Sequence, residues 1–112
     1  MKNISVLILA ALVLMLATDA YSVPAFRARS SQGEIVLRLL DAKCSNEKVM
    51  AHIKTKVRAE YQNEFRDGKL SWHDGKDYAT CWIAMDGVVF SIDEEGSPLN
   101  PVPYRSFVEE GV

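Results

Sequence analysis

Between residues 69 and 92 the chain alternates apolar and polar positions around two Asp-Gly pairs, Asp74-Gly75 and Asp86-Gly87. Such a pair between alternating runs signals a tight β-hairpin, because both central residues of the favoured turn need positive φ. The spacing predicts a three-stranded antiparallel meander with strands near 69–73, 76–85 and 88–92. With two-residue turns, Met85 faces Val88, Ile83 faces Phe90, Cys81 faces Ile92 and Leu70 faces Ala79. Side chains alternate across a strand, so Leu70, Trp72, Ala79, Cys81, Ile83, Met85, Val88, Phe90 and Ile92 are expected on one side, the core. The other side receives Ser71, His73, Tyr78, Thr80, Trp82, Ala84, Val89 and Ser91.

Upstream the period changes. Val49, Ile53, Val57, Tyr61 and Phe65 recur at steps of four, with Met50 beside them, which is the stripe of an amphipathic helix. Ser45 or Asn46 can cap its start, Glu47 suits its first turn, and its end is expected near Gln62 or Asn63. Before it, residues 34–40 alternate as a further strand at a sheet edge. Residues 21–33 are small and polar and are expected as a flexible lead-in. Three prolines in the tail rule out a central strand there; a wrapping loop with a short turn around Tyr104 to Phe107 is expected. The predicted fold class is α+β: one amphipathic helix on a small antiparallel sheet, made of an N-terminal strand plus the three-stranded meander.

The first residues decide how the cysteines are read. A lysine, an unbroken apolar run from Val6 to Ala17 and then small residues have the layout of a secretory signal peptide, residues 1–20, with cleavage as late as residue 25. The run is short for a membrane anchor, which needs about 20 apolar residues, so no transmembrane span is expected after cleavage. About 90 residues would remain, enough for one domain at 34–112 with a modest core that benefits from a staple. Export to an oxidising space makes one disulfide the expected fate of the only two cysteines, Cys44 and Cys81. Cys44 would stand just ahead of the helix and Cys81 on the sheet face that the helix covers, so the two are placed to meet.

Catalytic chemistry finds little support. A thiol nucleophile at Cys81 would need a histidine partner. Under the expected register His73 points to the opposite face, and His52 lies off the helix stripe. No C-x-x-C pair, phosphate-cradling glycine loop, nucleophile elbow or zinc spacing occurs. His73, Asp74 and Asp77 could serve a small hydrolase or a metal-dependent enzyme, but aspartates beside glycine are also what turns demand. No catalytic residue, metal or cofactor is therefore expected, and the chain reads as a non-enzyme.

Charge is unevenly distributed. Residues 27–58 hold eight Lys/Arg against three Asp/Glu, and residues 59–112 hold four against eleven, within a net charge of −2. Lys48, His52 and Lys56 line one helix edge, with Lys54 and Arg58 on another, a basic face that could meet an anionic surface or acidic protein. The plain alternative is a solvated face offset by the acidic hairpins. No aromatics interleave with the lysines, and export argues against nucleic acid. Tyr78, Trp82, Val89 and His73 form the other candidate surface, an aromatic patch on the outer sheet face. It competes with burial of that face under the N-terminal segment or the tail.

A signal peptide, "EIVLRLLDAKC", a short helix, "GKDYATCWIAMDGVVFSIDEEG" and a Pro-rich "NPVPYRSF" ending together resemble small exported proteins of unknown function encoded by bacteria and their prophages. The resemblance implies a Gram-negative periplasmic setting and supplies no catalytic residues. The functional expectation is a periplasmic or secreted protein that acts by binding a protein or cell-envelope component, for instance as a phage-encoded modulator or inhibitor. A structural subunit of an envelope or virion assembly is a further alternative.

Overall fold

The residues expected as a lead-in are themselves a strand. In the computed structural model, which describes residues 22–111, β1 (Ser22–Ser30) pairs antiparallel with β2 (Gly33–Lys43), placing Phe26 opposite Leu37 and Ala28 opposite Ile35. After β2 come α1 (Glu47–Lys56), a short α2 (Ala59–Gln62), β3 (Arg66–Ser71), β4 (Asp77–Met85) and β5 (Val88–Asp93). The chain ends with β6 (Val102–Pro103), a 3-10 turn (Tyr104–Ser106) and β7 (Val108–Gly111). All seven strands join one sheet in the order β6-β5-β4-β3-β2-β1-β7. The expected α+β class with one helix on a small sheet is thereby corrected: the protein is mostly β, a curled half-barrel carrying one short helix. The expected leader, residues 1–20, lies outside the described residues.

Two physical features account for the difference. Arg27 and Arg29 hide the alternation of β1, because they occupy the face opposite Phe26 and Ala28. The tail prolines fall at or beside the sheet edge β6, where a missing N–H costs no ladder bond. β6 and β7 lie on opposite edges of the sheet, yet only five residue steps separate Pro103 from Val108. That chain reaches at most about 18 Å, so the edges must curl toward one another.

The curl encloses a core on one face. Leu37 and Leu39 of β2, Leu70 of β3 and Val89 of β5 form one buried cluster, joined by Ile35, Trp82, Leu99 and Phe107. Phe107 also lies against Phe26 and Tyr104, with centroids 5.8 and 6.1 Å away. On the outer face α1 covers β4 and β5, burying Val49, Ile53, Phe65 and Ile83 with the two cysteines. Full burial of Val49 and Ile53 contributes about 1.5–3 kcal/mol each before entropy is counted.

The helix is shorter than its stripe. Asn46 caps it, its Oδ1 accepting from Val49 N at 3.0 Å. At Val57 the backbone turns extended, and α2 restarts two residues later. The Gln62 amide donates to Val57 O at 2.8 Å and Lys54 O at 3.3 Å, satisfying carbonyls that the break releases.

The two hairpins differ. β4–β5 has the expected register, with Met85 opposite Val88, Ile83 opposite Phe90 and Cys81 opposite Ile92. Asp86 and Gly87 both take positive φ, as a two-residue turn requires. In β3–β4, by contrast, Leu70 faces Tyr78 rather than Ala79. Trp72 N donates to Lys76 O, which leaves a three-residue loop of His73, Asp74 and Gly75. The Asp74 carboxylate accepts from Lys76 N at 2.9 Å, and Gly75 alone in the loop takes the left-handed conformation. One residue of slip moves Leu70 and Trp72 from the Cys81 side to the Tyr78 side.

Candidate functional site

The adjacent Cys81 and Trp82 point to opposite faces. Cys81 faces α1 and is bonded to Cys44, with a Cα separation of 5.7 Å, and no free cysteine occurs among the described residues. The Asp67 Oδ1 lies 3.9 Å from Cys81 Sγ. Cys44, Asp67 and Cys81 are also the one grouping of metal-type ligands among the described residues. The disulfide commits two of the three, and Asp67 accepts from Ser45 N and Oγ.

Trp82 points into the curl. Its Nε1 donates to Leu40 O at 3.0 Å and Asp67 O at 2.9 Å, so the indole crosses β3 to reach β2. Gly68 permits this passage: a Cβ there would stand 3.3 Å from Trp82 Cδ1 and 2.5 Å from Thr80 Oγ1.

The expected aromatic patch therefore does not assemble as a surface. Val89 is 1 % exposed, Trp82 is half-buried with its N–H satisfied, and only Tyr78 stands open. His73 remains on the hairpin loop, its Nε2 2.8 Å from Gln32 Oε1 and its ring edge-on to Trp72. The His73, Asp74 and Asp77 trio is likewise dispersed. Asp74 serves the turn, while Asp77 accepts from Ser71 Oγ at 2.7 Å and pairs with Lys69 at 3.2 Å. The Ser71 hydrogen bond, reinforced by Lys69, holds the Asp77 carboxyl below its ordinary range.

The basic helix edge is engaged within the chain. Lys48 pairs with Glu94 at 3.7 Å, His52 Nε2 lies 3.1 Å from Glu94 O, and Lys56 Nζ donates to Gly96 O at 2.7 Å. Three side chains at four-residue steps thus grip the turn after β5. Of the other two basic residues, Arg58 pairs with Glu60 at 3.8 Å, and Lys54 contributes its carbonyl to Gln62.

A different surface emerges at the end of the curl where the β3–β4 loop and the turn after β5 stand side by side. The three-residue loop places Leu70, Trp72 and Tyr78 on the inner face, and Leu99 closes the far wall. Together with Lys48, Asp93, Glu94 and Glu95 they line a cleft of about 600 Å³. Trp72 is 37 % and Tyr78 42 % exposed, although both lie beside the internal apolar cluster. Asp93 spends its Oδ1 on Glu95 N and Ser97 N. An adjoining groove of about 750 Å³ shares Lys48, Tyr78 and Glu94 and extends to Asp67, Asp77 and Thr80. Thr80 is 1 % exposed, and its hydroxyl has no hydrogen-bond partner among the described residues. A second, more apolar groove of about 510 Å³ lies past the end of α1, bordered by Val57, Tyr61, Met85 and Phe90.

Trp72, like Leu70, is a residue that sequence reasoning misplaced. Under a two-residue turn it belongs to the core beside Cys81. The signal that could have moved it is the side chain of Asp74, which favours a longer loop by bonding its own backbone two residues on.

Comparison with protein-family models, curated proteins and solved structures finds no match to this chain. No helix among the described residues is long and apolar enough to cross a membrane.

Proposed function

We propose that this is a small exported, non-enzymatic binding module whose recognition surface is the cleft formed by Leu70, Trp72, Tyr78 and Leu99. The single observation that carries the reading is the exposure of Trp72 and Tyr78 at the rim of an otherwise buried apolar cluster. Large aromatics left open at a concave site supply binding area at low entropic cost, and such residues dominate the energetics of protein interfaces. Dispersal of His73, Asp74 and Asp77 into separate hydrogen bonds supports a non-enzymatic role. The leader-like start and the disulfide support an oxidising, periplasmic or secreted location, where the partner is a protein or envelope component.

The test is recovery from periplasmic extract on immobilised protein, comparing wild type, the double variant Trp72→Ala/Tyr78→Ala, and Met85→Ala in the other groove. The cleft reading expects the double variant to lose the recovered partner and Met85→Ala to retain it. Equal recovery by all three removes the cleft from consideration.

A further inference from the structure

We infer that the Trp72–Tyr78 cleft accepts a basic side chain, lysine or arginine, presented by a protein partner. The inference rests on the reading of the cleft as the recognition surface and adds the chemistry of what enters it.

The walls and the rim ask for different things from a ligand. Leu70 and Leu99 supply apolar wall, Trp72 and Tyr78 add aromatic rings, and the lining carries three acidic residues against one lysine. That lysine, Lys48, is paired with Glu94, so the local field is negative. The adjoining groove extends it: beyond the shared Lys48 and Glu94, it is lined by Glu47, Asp67 and Asp77 against Lys69, and Lys69 is paired with Asp77. A group with an aliphatic stem and a cationic head meets both demands, because the stem covers apolar wall while the head reaches acidic water-exposed oxygens. Aromatic rings strengthen the preference, since their faces are negative and attract ammonium or guanidinium groups. Clefts lined by one sign of charge also concentrate ligands of the other sign.

An anion fits poorly. The cations present are already paired, and one of the N–H groups at the start of α1, that of Val49, is taken by Asn46. The turn after β5 supplies an intramolecular precedent, because Lys48 and Lys56 already bind it, one by a carboxylate and one by a carbonyl. Glu95 is exposed, and its carboxylate makes no ion pair among the described residues, which leaves it open to an incoming cation. A protein source is favoured over a free amine because the cleft is continuous with the groove through Tyr78 and Glu94. A peptide segment can run along both while one side chain inserts.

The experiment is a titration of the labelled exported chain followed by NMR chemical shifts, using acetyl-Gly-Arg-Leu-Gly-amide, the same peptide with Glu in place of Arg, and choline chloride. Saturating shifts at Leu70, Trp72, Tyr78 and Glu95 with the arginine peptide, and at least tenfold weaker binding of the glutamate peptide, are expected. Trp72→Leu should weaken the arginine peptide about fivefold, the size of one exposed cation–π contact, and Glu95→Gln should weaken it too. Met85→Ala should leave it unchanged.

Equal binding of the two peptides, binding of neither, or full affinity in Trp72→Leu overturns the assignment of a cation. Choline binding as tightly as the arginine peptide overturns the assignment to a protein side chain. Failure here is separable from failure of the cleft itself. If the arginine peptide fails while the double variant still loses its partner from extract, the chemistry is wrong and the surface stands. If the double variant keeps its partner, the surface falls.

Discussion

At Gly68 three requirements meet on one residue. The Trp82 indole must pass over β3 to donate to Leu40 O, Thr80 projects from the neighbouring strand, and the backbone must continue the ladder. Any Cβ at position 68 would sit 2.5 Å from Thr80 Oγ1, and Thr80 is too deeply buried to move aside. Gly68→Ala is accordingly predicted to destabilise the fold by about 1–3 kcal/mol, the usual cost of overpacking, measured as a lower urea midpoint. Thr80 carries its own cost, a buried hydroxyl with no partner. Thr80→Val keeps the shape and removes the orphan, so it should be neutral or stabilising by about 1 kcal/mol. A clear loss of stability in Thr80→Val would show that the hydroxyl is satisfied in solution. None of this is visible in the residue string, where Gly68 falls just before the expected first strand of the meander and Thr80 reads as an ordinary strand residue.

Among the elements, β7 depends most on charge. Four residues pair it with β1, and Arg27 reinforces the pairing with a bidentate grip on Glu110, one bond being 2.8 Å, while also reaching Glu34. The Arg27 hydrogen bond holds the Glu110 carboxyl below its ordinary range, and Glu110 in turn raises the guanidinium. A carboxyl lowered by folding adds stability that is complete above its unfolded pKa and is lost as pH falls through its folded value. The β1–β7 amides should therefore keep their hydrogen-exchange protection factors at neutral pH and lose them progressively below about pH 4.5. Glu110→Gln should show the reduced protection already at pH 7. If the variant and the wild type have the same pH profile, the grip is not what holds the edge. The same scale shows what the sequence could and could not convey. The β4–β5 register was legible because Asp86-Gly87 takes the two-residue turn that its pattern assumes. The β3–β4 register was not, since Asp-Gly serves two-residue and three-residue loops alike and the choice falls to the Asp74 side chain. The β1 strand was hidden by its arginines and the edge strand β6 by its prolines, whereas the helix stripe was plain and only its break at Val57 was not.

For the whole molecule, the disulfide is the covalent link between the outer cluster beneath α1 and the sheet. It closes a sequence separation of 37, which in the chain-entropy account restricts the unfolded chain by about 4 kcal/mol. Cys44→Ser/Cys81→Ser is predicted to lose about 2–5 kcal/mol by denaturant titration, with unfolding of the protein at body temperature as the extreme result. An unchanged midpoint would mean that the curl alone sustains the fold. This staple was readable from the cysteine count and the expected compartment. The half-barrel was not, because curvature arises from contacts between β2, β3 and β5 that no local pattern encodes. The cleft was equally out of reach, because it exists only when the β3–β4 register and the curl act together.

That register is the point on which the proposed recognition surface turns, and cross-strand nuclear Overhauser effects read it directly. The account predicts contacts that set Leu70 opposite Tyr78 and Ser71 opposite Asp77. Contacts setting Leu70 opposite Ala79 would return Trp72 to the Cys81 face and leave no aromatic cleft to bind anything.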